Sequence, residues 1–288
     1  MITICILSAA VSLGTATFVA QEPPTAAGAT QGKKLDDLAR EVVGDATEAE
    51  AKVRRVVDWA HEKLKWTYTD YQSRTVEQIL ERGGGNCDEL ARVVIAVLKR
   101  VGVQTRRVHE INIQPESLDR QASAEAKIKE KGPSMSVFGK CHNDHVWLEF
   151  ADGNSDDWRP ADPTLRLVGV REWIRARVGF GERPTSAIIP SRDMIVPVAI
   201  FAITPRGLES RTEHYLVQEA PSVLGVDTAR CPGWERWTNL VRAFDPKAKS
   251  AMEGKENLHD AGKMVDELAE AYGALRACAP PPELAPTK

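Results

Sequence analysis

The sequence lacks the excess of basic residues that proteins use to hold nucleic acid. Its 38 lysines and arginines are slightly outnumbered by 41 aspartates and glutamates, which gives a formal net charge of -3 at pH 7. The basic residues are also dispersed among the acidic ones rather than massed in one stretch. Because a phosphate backbone is bound by clustered basic side chains, we expect no nucleic-acid partner.

Charge is missing altogether from the N-terminal stretch, where the first charged side chain is that of Glu22. Residues 1–20 are small or apolar, like the apolar part of a secretory signal that is cut after Ala16 or Ala20. The positive segment that usually opens such a signal is absent, so the stretch could instead remain as an anchor, although it is barely long enough to span a bilayer. We expect export to the periplasm or the extracellular space, with membrane association only through this segment.

Internal repeats and recognisable metal-site spacings are also missing. No segment recurs at a fixed period, and no calcium-loop spacing is visible. The segment 141–145 contains cysteine and histidine that zinc would accept, but no second pair at ligand spacing occurs elsewhere. We therefore predict no metal requirement and no cofactor.

Cysteine is scarce, with five residues in 288, and Cys5 would be lost with a cleaved signal. In an exported protein some of the others can pair, and we predict a disulfide between Cys231 and Cys278, which flank a C-terminal helical region. A second hypothesis is a reversible disulfide between Cys141 and Cys87 that silences the Cys87 thiol.

The most informative stretch that is present runs from Arg82 to Ala91, where three glycines and an asparagine precede Cys87. An amphipathic helix follows, with an apolar stripe formed by Leu90, Val93, Val94, Val97, Leu98 and Val101. Asn86 and Glu89 have the spacing of a capping box, and Gly102 would close the helix. Cys87 then lies in the first turn, where the helix dipole favours a thiolate.

The glycines, which have no β-carbon, would let a substrate backbone approach the Cys87 sulfur. These features together describe a nucleophilic cysteine. The alternative is that Cys87 is a small buried hydrophobic residue at the start of a core helix.

A predicted antiparallel hairpin supplies possible partners for the cysteine. Residues 145–150 alternate as a strand, 151–154 form a turn, and 158–164 read as a short return strand. His145 opens the first strand and Asp162 ends the second, so the hairpin can bring them side by side. A carboxylate fixes the tautomer of an imidazole, which can then accept a thiol proton. Alternatively, His145 is an ordinary strand histidine and Asp162 caps a turn.

Four segments in this order, 85–91, 98–106, 145–149 and 158–164, resemble the bacterial transglutaminase-like family. That family has a papain-like fold and a Cys-His-Asp triad. The resemblance implies that Cys87 is the nucleophile, His145 the base and Asp162 the orienting carboxylate. It covers roughly Trp59 to Thr164 and does not explain the chain beyond Asp193.

The resemblance further implies acyl transfer from an amide of a peptide or protein substrate through a thioester. Water as acceptor gives proteolysis or deamidation and lysine gives crosslinking; among bacterial relatives, hydrolysis is favoured. The Cys87 N–H is the first expected oxyanion donor, and the second comes from an upstream side chain, for which Trp66, Tyr68, Tyr71 and Gln72 compete. We select Tyr68. The alternative function is a catalytically silent module that holds a cell-envelope peptide.

The predicted fold class is α+β, with a papain-like core in which the nucleophile helix packs on an antiparallel sheet. We expect helices at 35–43 and 171–178, a helix that Thr47 begins with a capping box, and a strand at 213–217. The expected divisions are a signal peptide or anchor (1–20), a linker (21–33), a catalytic domain (34–205), a helical C-terminal extension (206–279) and a disordered tail (280–288). The sequence leaves the oligomeric state open.

Overall fold

The structure is a computed structural model that describes residues 26–68, 72–113, 126, 129–130, 137–138, 141–153, 155–178, 196–256 and 258–278. The helices are α1 (Ala26–Val43), α2 (Ala49–Lys63), α3 (Val76–Arg82), α4 (Cys87–Arg100), α5 (Val170–Arg177), α6 (Ala220–Leu224), α7 (Pro232–Met252) and α8 (Gly262–Cys278). A π-helix (Glu213–Glu219) leads into α6, and a 3-10 turn (Leu258–Ala261) leads into α8. Within these described ranges, none of the helices has the length and apolar character needed to cross a membrane.

The strands are β1 (Lys65–Trp66), β2 (Gly84–Gly85), β3 (Gln104–Ile113), β4 (Val137–Phe138), β5 (Cys141–Ala151), β6 (Arg159–Asp162), β7 (Leu167–Val168), β8 (Val196–Thr204) and β9 (Gly207–Ser210). The main sheet is antiparallel in the order β7-β6-β5-β3-β8-β9, and β4 pairs with β5. The strands β1 and β2 form a separate parallel pair. The predicted hairpin is present as β5 and β6, and the sheet places β3 and β5 at its centre.

Helices cover both faces of this sheet. Successive side chains of a strand point to opposite faces, so Leu148 and Phe150 of β5 pack with α1, α2 and α4, whereas Trp147 packs with α5 and the C-terminal helices. Trp147, Leu148 and Phe150 are all fully buried. The nucleophile helix and the C-terminal helices therefore lie on opposite faces of one sheet, which confirms the predicted α+β class and its packing of α4 on an antiparallel sheet.

Three local predictions were wrong. The first helix begins at Ala26 rather than Leu35, because alanines in the predicted linker are strong helix formers. The capping box at Thr47 is absent, since Glu48 occupies the N-cap of α2 without a side-chain cap. Residues 213–217 are helical rather than extended; consecutive Tyr215 and Leu216 are both buried, and a short apolar run does not distinguish helix from strand.

The C-terminal helices α7 and α8 cross at very close range. A β-carbon on Gly233 would lie 2.5 Å from the backbone nitrogen of Leu275. Cys231 immediately precedes α7 and is disulfide-bonded, while Cys278 ends α8 about one turn beyond Leu275. The side chain of Cys278 lies outside the described residues, so its pairing with Cys231 stays a prediction.

Candidate active site

The start of α4 is held by the capping box that the sequence predicted. The Glu89 N–H donates to Asn86 Oδ1 at 3.0 Å, and the Asn86 N–H donates to Glu89 Oε2 at 3.1 Å. Glu89 is almost completely buried and also pairs with Arg74, whose Nη1 lies 3.0 Å from Oε1. These polar contacts at one helix terminus fix its direction, and they position Cys87, which is partly exposed and carries a thiol rather than a disulfide.

The glycines before Cys87 serve the protein's own packing, and their admission of a substrate backbone stays a prediction. A β-carbon on Gly84 would lie 2.0 Å from the Lys65 carbonyl oxygen, because β1 and β2 are in contact there. A β-carbon on Gly85 would lie 2.6 Å from the Glu89 β-carbon. Gly83 ends α3 in the left-handed conformation at φ 73°, which glycine adopts at little cost.

His145 and Asp162 meet across the β5–β6 hairpin. The register places Ala161 opposite Leu148, so Asp162 stands opposite Trp147 and diagonal to His145 on the same face. The His145 Nε2 lies 2.7 Å from Asp162 Oδ2. Asp162 is fully buried, and His145 is 8% exposed. The Trp147 ring stacks on the imidazole at 5.7 Å between centroids, so the ring orientation is set by packing as well as by hydrogen bonding.

The thiol of Cys87 hydrogen-bonds the same imidazole. Burial lowers the pKa of His145, but the charge and hydrogen bond of Asp162, together with the contact to Cys87, outweigh burial and raise that pKa to about 10. The imidazole is therefore protonated at neutral pH, and a protonated imidazole stabilises a thiolate beside it. The structure thus brings Cys87, His145 and Asp162 together in the order sulfur, imidazole, carboxylate.

Tyr68, selected as the second oxyanion donor, lies on the surface with 83% of its area exposed. Its ring packs edge-on against Trp66 at 4.6 Å, and Trp66 is itself 48% exposed. The competing Tyr71 lies outside the described residues, and Gln72 contacts Arg74 at 3.3 Å. The oxyanion role of Tyr68 stays a prediction.

A buried charge pair beside the triad was missed by the sequence analysis. Arg177, at the end of α5, forms an ion pair with Glu110, whose side chain is fully buried. Glu110 stands directly opposite His145 in the β3–β5 register and accepts a 2.9 Å hydrogen bond from Asn112 Nδ2. Burial lowers the pKa of Arg177 to about 10, although the nearby charge of Cys87 acts to raise it. Arg177 therefore carries a positive charge close to the sulfur at neutral pH.

A second missed cluster centres on Glu149, which lies on the same face of β5 as His145. Its Oε2 accepts from Arg106 Nε at 2.7 Å, and its Oε1 accepts from Arg211 Nε at 2.8 Å and from the Tyr215 hydroxyl at 2.6 Å. The tyrosine ring in turn packs edge-on against Trp147 at 6.4 Å. The acidic residue within the otherwise apolar segment 146–151 was a visible signal, but its partners lie far away in the sequence.

Comparison with known families gives a match to part of the chain. Residues 36–163 match the model of the transglutaminase-like superfamily, and this segment contains all three residues of the proposed triad. The resemblance stated from the motifs is thereby confirmed. No curated protein matches the chain significantly.

Solved structures resemble the chain at low identity. A presumed cysteine protease from Cytophaga hutchinsonii is 18% identical over 48% of this chain and 41% of its own length, with a TM-score of 0.32. A presumed protease from Parabacteroides distasonis is 17% identical over 29% of this chain and 17% of its own length, with a TM-score of 0.26. LapG of Legionella pneumophila, EGTA-treated, is 16% identical over 64% of this chain and 88% of LapG, with a TM-score of 0.32. The chain spans less than half the length of the first two proteins.

Proposed function

We propose that the protein is a cysteine-dependent enzyme that transfers the acyl group of an amide bond in a peptide or protein, a proposal that the match of residues 36–163 to the transglutaminase-like superfamily model supports. The observation that carries this proposal is the contact of the Cys87 thiol with His145, whose Nε2 lies 2.7 Å from Asp162. Asp162 occupies Nε2 and leaves Nδ1 for the thiol, which is the arrangement a base needs to accept the proton of a nucleophile.

In the first half-reaction the proton of Cys87 resides on His145, and the thiolate sulfur attacks the amide carbonyl carbon. The carbon–nitrogen bond then breaks, His145 delivers its proton to the leaving amine, and a thioester remains on Cys87. In the second half-reaction water attacks the thioester while His145 accepts a proton. The carbon–sulfur bond breaks, the acid is released, and Cys87 returns to a thiolate beside the protonated His145. An amine acceptor in place of water would give a new amide, and both outcomes share the first half-reaction.

The surroundings of the site support a charged nucleophile. Asp162 stabilises the protonated imidazole, and Arg177 places a second positive charge near the sulfur. Inside a protein these interactions are stronger than in water, because the low local dielectric screens them less. We therefore expect iodoacetamide to alkylate Cys87 faster than an ordinary cysteine that has no cationic neighbours.

The proposal is tested by trapping the acyl-enzyme. The full chain is incubated with a peptide library and quenched in acid, and the Cys87 peptide is examined by mass spectrometry. We expect acyl adducts on Cys87 in the wild type, none on Cys87→Ala, and about 100-fold less in His145→Gln, the scale of general acid–base catalysis. Absence of adducts, together with slow iodoacetamide labelling of Cys87 at pH 5.5, would contradict the proposal and favour a silent peptide-binding module.

A further inference from the structure

A cavity of about 880 Å³ lies beside α4, at the end of the sheet where β8 and β9 turn. It contains none of the three proposed triad residues. Six of its fourteen lining residues are basic and two are acidic. The basic residues are Arg92, Lys99, Arg106, Arg107, Arg206 and Arg211. We name this cavity the basic pocket.

The positive charge of the basic pocket exceeds the negative charge that contacts it. Its two acidic lining residues are Asp156 and Glu209. Two further carboxylates contact its arginines from outside the lining: Glu149 pairs with Arg106 and Arg211, and Asp88 pairs with Arg107 at 2.9 Å. Six basic groups therefore face four carboxylates. This local excess contrasts with the net charge of -3 of the whole chain.

Lys99 and Arg206 account for that excess. Both side chains are exposed, and neither forms an ion pair within the part of the chain that the structure describes. The neighbouring Trp158 adds a flat apolar wall, against which the Arg106 guanidinium stacks at 4.2 Å from the ring centroid. The pocket thus offers two uncompensated cations next to a surface that can pack against the carbon atoms of a ligand.

The basic pocket lies along α4, the helix whose first turn carries Cys87, and Arg92, Ile95 and Lys99 of that helix line it. Asp88, which immediately follows Cys87, shares one helix face with Arg92 and Lys99, since residues four and eleven positions apart lie on the same side of a helix. At 1.5 Å per residue, Arg92 and Lys99 lie about 7.5 Å and 18 Å along the axis from Cys87. An extended peptide advances about 3.3 Å per residue, so a chain bound at Cys87 reaches these cations after about two to five residues.

We propose that the basic pocket binds an acidic segment of the substrate polypeptide, two to five residues from the bond that Cys87 attacks. The placement relative to the bond rests on the proposed function, whereas the binding itself does not. Arginine matches a carboxylate with its planar set of donors, and lysine adds a point charge. An acidic peptide would thereby be selected over neutral ones and oriented in the site.

The binding is measured with the full chain and two fluorescein-labelled peptides, hexaglutamate and hexaglutamine, by fluorescence anisotropy at low and high salt. We expect only hexaglutamate to bind, with affinity that falls as salt screens the charges. The double variant Lys99→Gln/Arg206→Gln should weaken this binding about fivefold or more, as expected for two exposed ion pairs. The matched control, Lys247→Gln/Lys263→Gln, removes two exposed lysines from α7 and α8. It should leave the affinity for hexaglutamate unchanged.

Equal binding of both peptides, or equal effects of the two double variants, would overturn the proposal, as would tighter binding of hexathymidylate than of hexaglutamate. Thermal unfolding of each variant verifies that the fold is retained. If hexaglutamate binds as expected but no acyl-enzyme forms, the acidic-segment site stands and the catalytic proposal fails. If adducts form without enrichment of aspartate and glutamate two to five residues from the acyl carbonyl, the catalytic proposal stands and the placement of the segment fails.

Discussion

At the scale of single residues, the two carboxylate oxygens of Asp162 make different contacts, and a substitution can separate their effects. Its Oδ2 contacts His145, whereas its Oδ1 accepts the backbone N–H groups of Thr164 at 3.0 Å and Leu165 at 3.1 Å. An asparagine can keep one oxygen for the backbone turn while losing the negative charge. The Asp162→Asn variant therefore tests electrostatics rather than folding of the turn.

Asp162→Asn should lower the pKa of His145, because burial lowers that pKa and the negative charge of Asp162, which raises it, is removed. The raised folded-state pKa, about 10, lies above the unfolded value near 6.5. The corresponding stabilisation is therefore complete below about pH 6.5 and is lost as pH rises through about 10. We expect the difference in unfolding free energy between wild type and variant, measured by urea denaturation, to shrink from pH 6.5 to pH 10.

The same variant should alkylate more slowly at Cys87 at pH 6, because His145 loses part of the positive charge that supports the attacking sulfur. Asp156→Asn, which removes an exposed carboxylate away from the triad, is the matched control. A pH-independent stability difference, or equal alkylation of the two variants, would show that Asp162 does not act on the charge of His145.

A second prediction for single residues concerns the buried ion pair between Arg177 and Glu110. Arg177→Met leaves the fully buried Glu110 carboxylate without its cation, and breaking a buried pair in this way costs about 3–5 kcal/mol. The double variant Arg177→Met/Glu110→Gln removes both charges and should recover most of the unfolding free energy in urea. Its Cys87 alkylation at pH 6 should stay slower than that of the wild type, because the positive charge near the sulfur is gone.

Recovery of both stability and alkylation in the double variant would show that the pair is structural only. The conservative variant Arg177→Lys retains the charge and should restore fast alkylation at pH 6 even if it loses stability. Slow alkylation in Arg177→Lys would exclude the charge as the cause.

At the scale of helices and strands, the features that could be predicted from the sequence are those formed by residues close together in the chain. The capping box of α4 involves residues three apart, and the β5–β6 hairpin joins neighbouring strands, so spacing and turn residues were sufficient. Glu110 and Arg177 lie 67 positions apart, and Glu149 and Tyr215 lie 66 apart. Such pairs depend on how strands and helices assemble, which no single-sequence pattern encodes.

Gly84 lies where β1 and β2 pair, and the structure gives it a packing role that the sequence did not indicate. Gly84→Ala would place a β-carbon 2.0 Å from the Lys65 carbonyl oxygen, a backbone atom that cannot move without separating β1 from β2. We expect a loss of about 1–3 kcal/mol, the usual cost of overpacking, and slower alkylation of Cys87, because β2 leads directly into α4. Urea denaturation and iodoacetamide kinetics measure both effects.

Gly153→Ala provides the control for that substitution. Gly153 has a positive φ of 55°, but a β-carbon added there would meet no other atom within 4 Å. Its replacement should cost only the backbone strain of about 1 kcal/mol and leave alkylation unchanged. Equal alkylation rates in the two variants would mean that β2 does not position the nucleophile.

At the scale of the whole molecule, the C-terminal helices complete the core beneath the proposed site. Trp147, which stacks on His145, packs against Trp173 at 4.7 Å, and both belong to the apolar cluster that α7 and α8 close through Trp237 and Tyr272. The strand β9 also extends the sheet by pairing with β8. The extension therefore buries residues that orient the imidazole.

A chain that ends at residue 230 should accordingly fail to fold, since it would expose Trp147, Trp173 and the sheet face around them. Each large apolar side chain returned to water costs about 1.5–3 kcal/mol, and a few such losses exceed the 5–15 kcal/mol that stabilises a typical domain. We expect no cooperative urea transition and no fast Cys87 alkylation from the truncated chain, whereas the full chain shows both. A truncated chain with a cooperative transition and native alkylation kinetics would show instead that the nucleophile, the imidazole and the carboxylate assemble without the C-terminal helices.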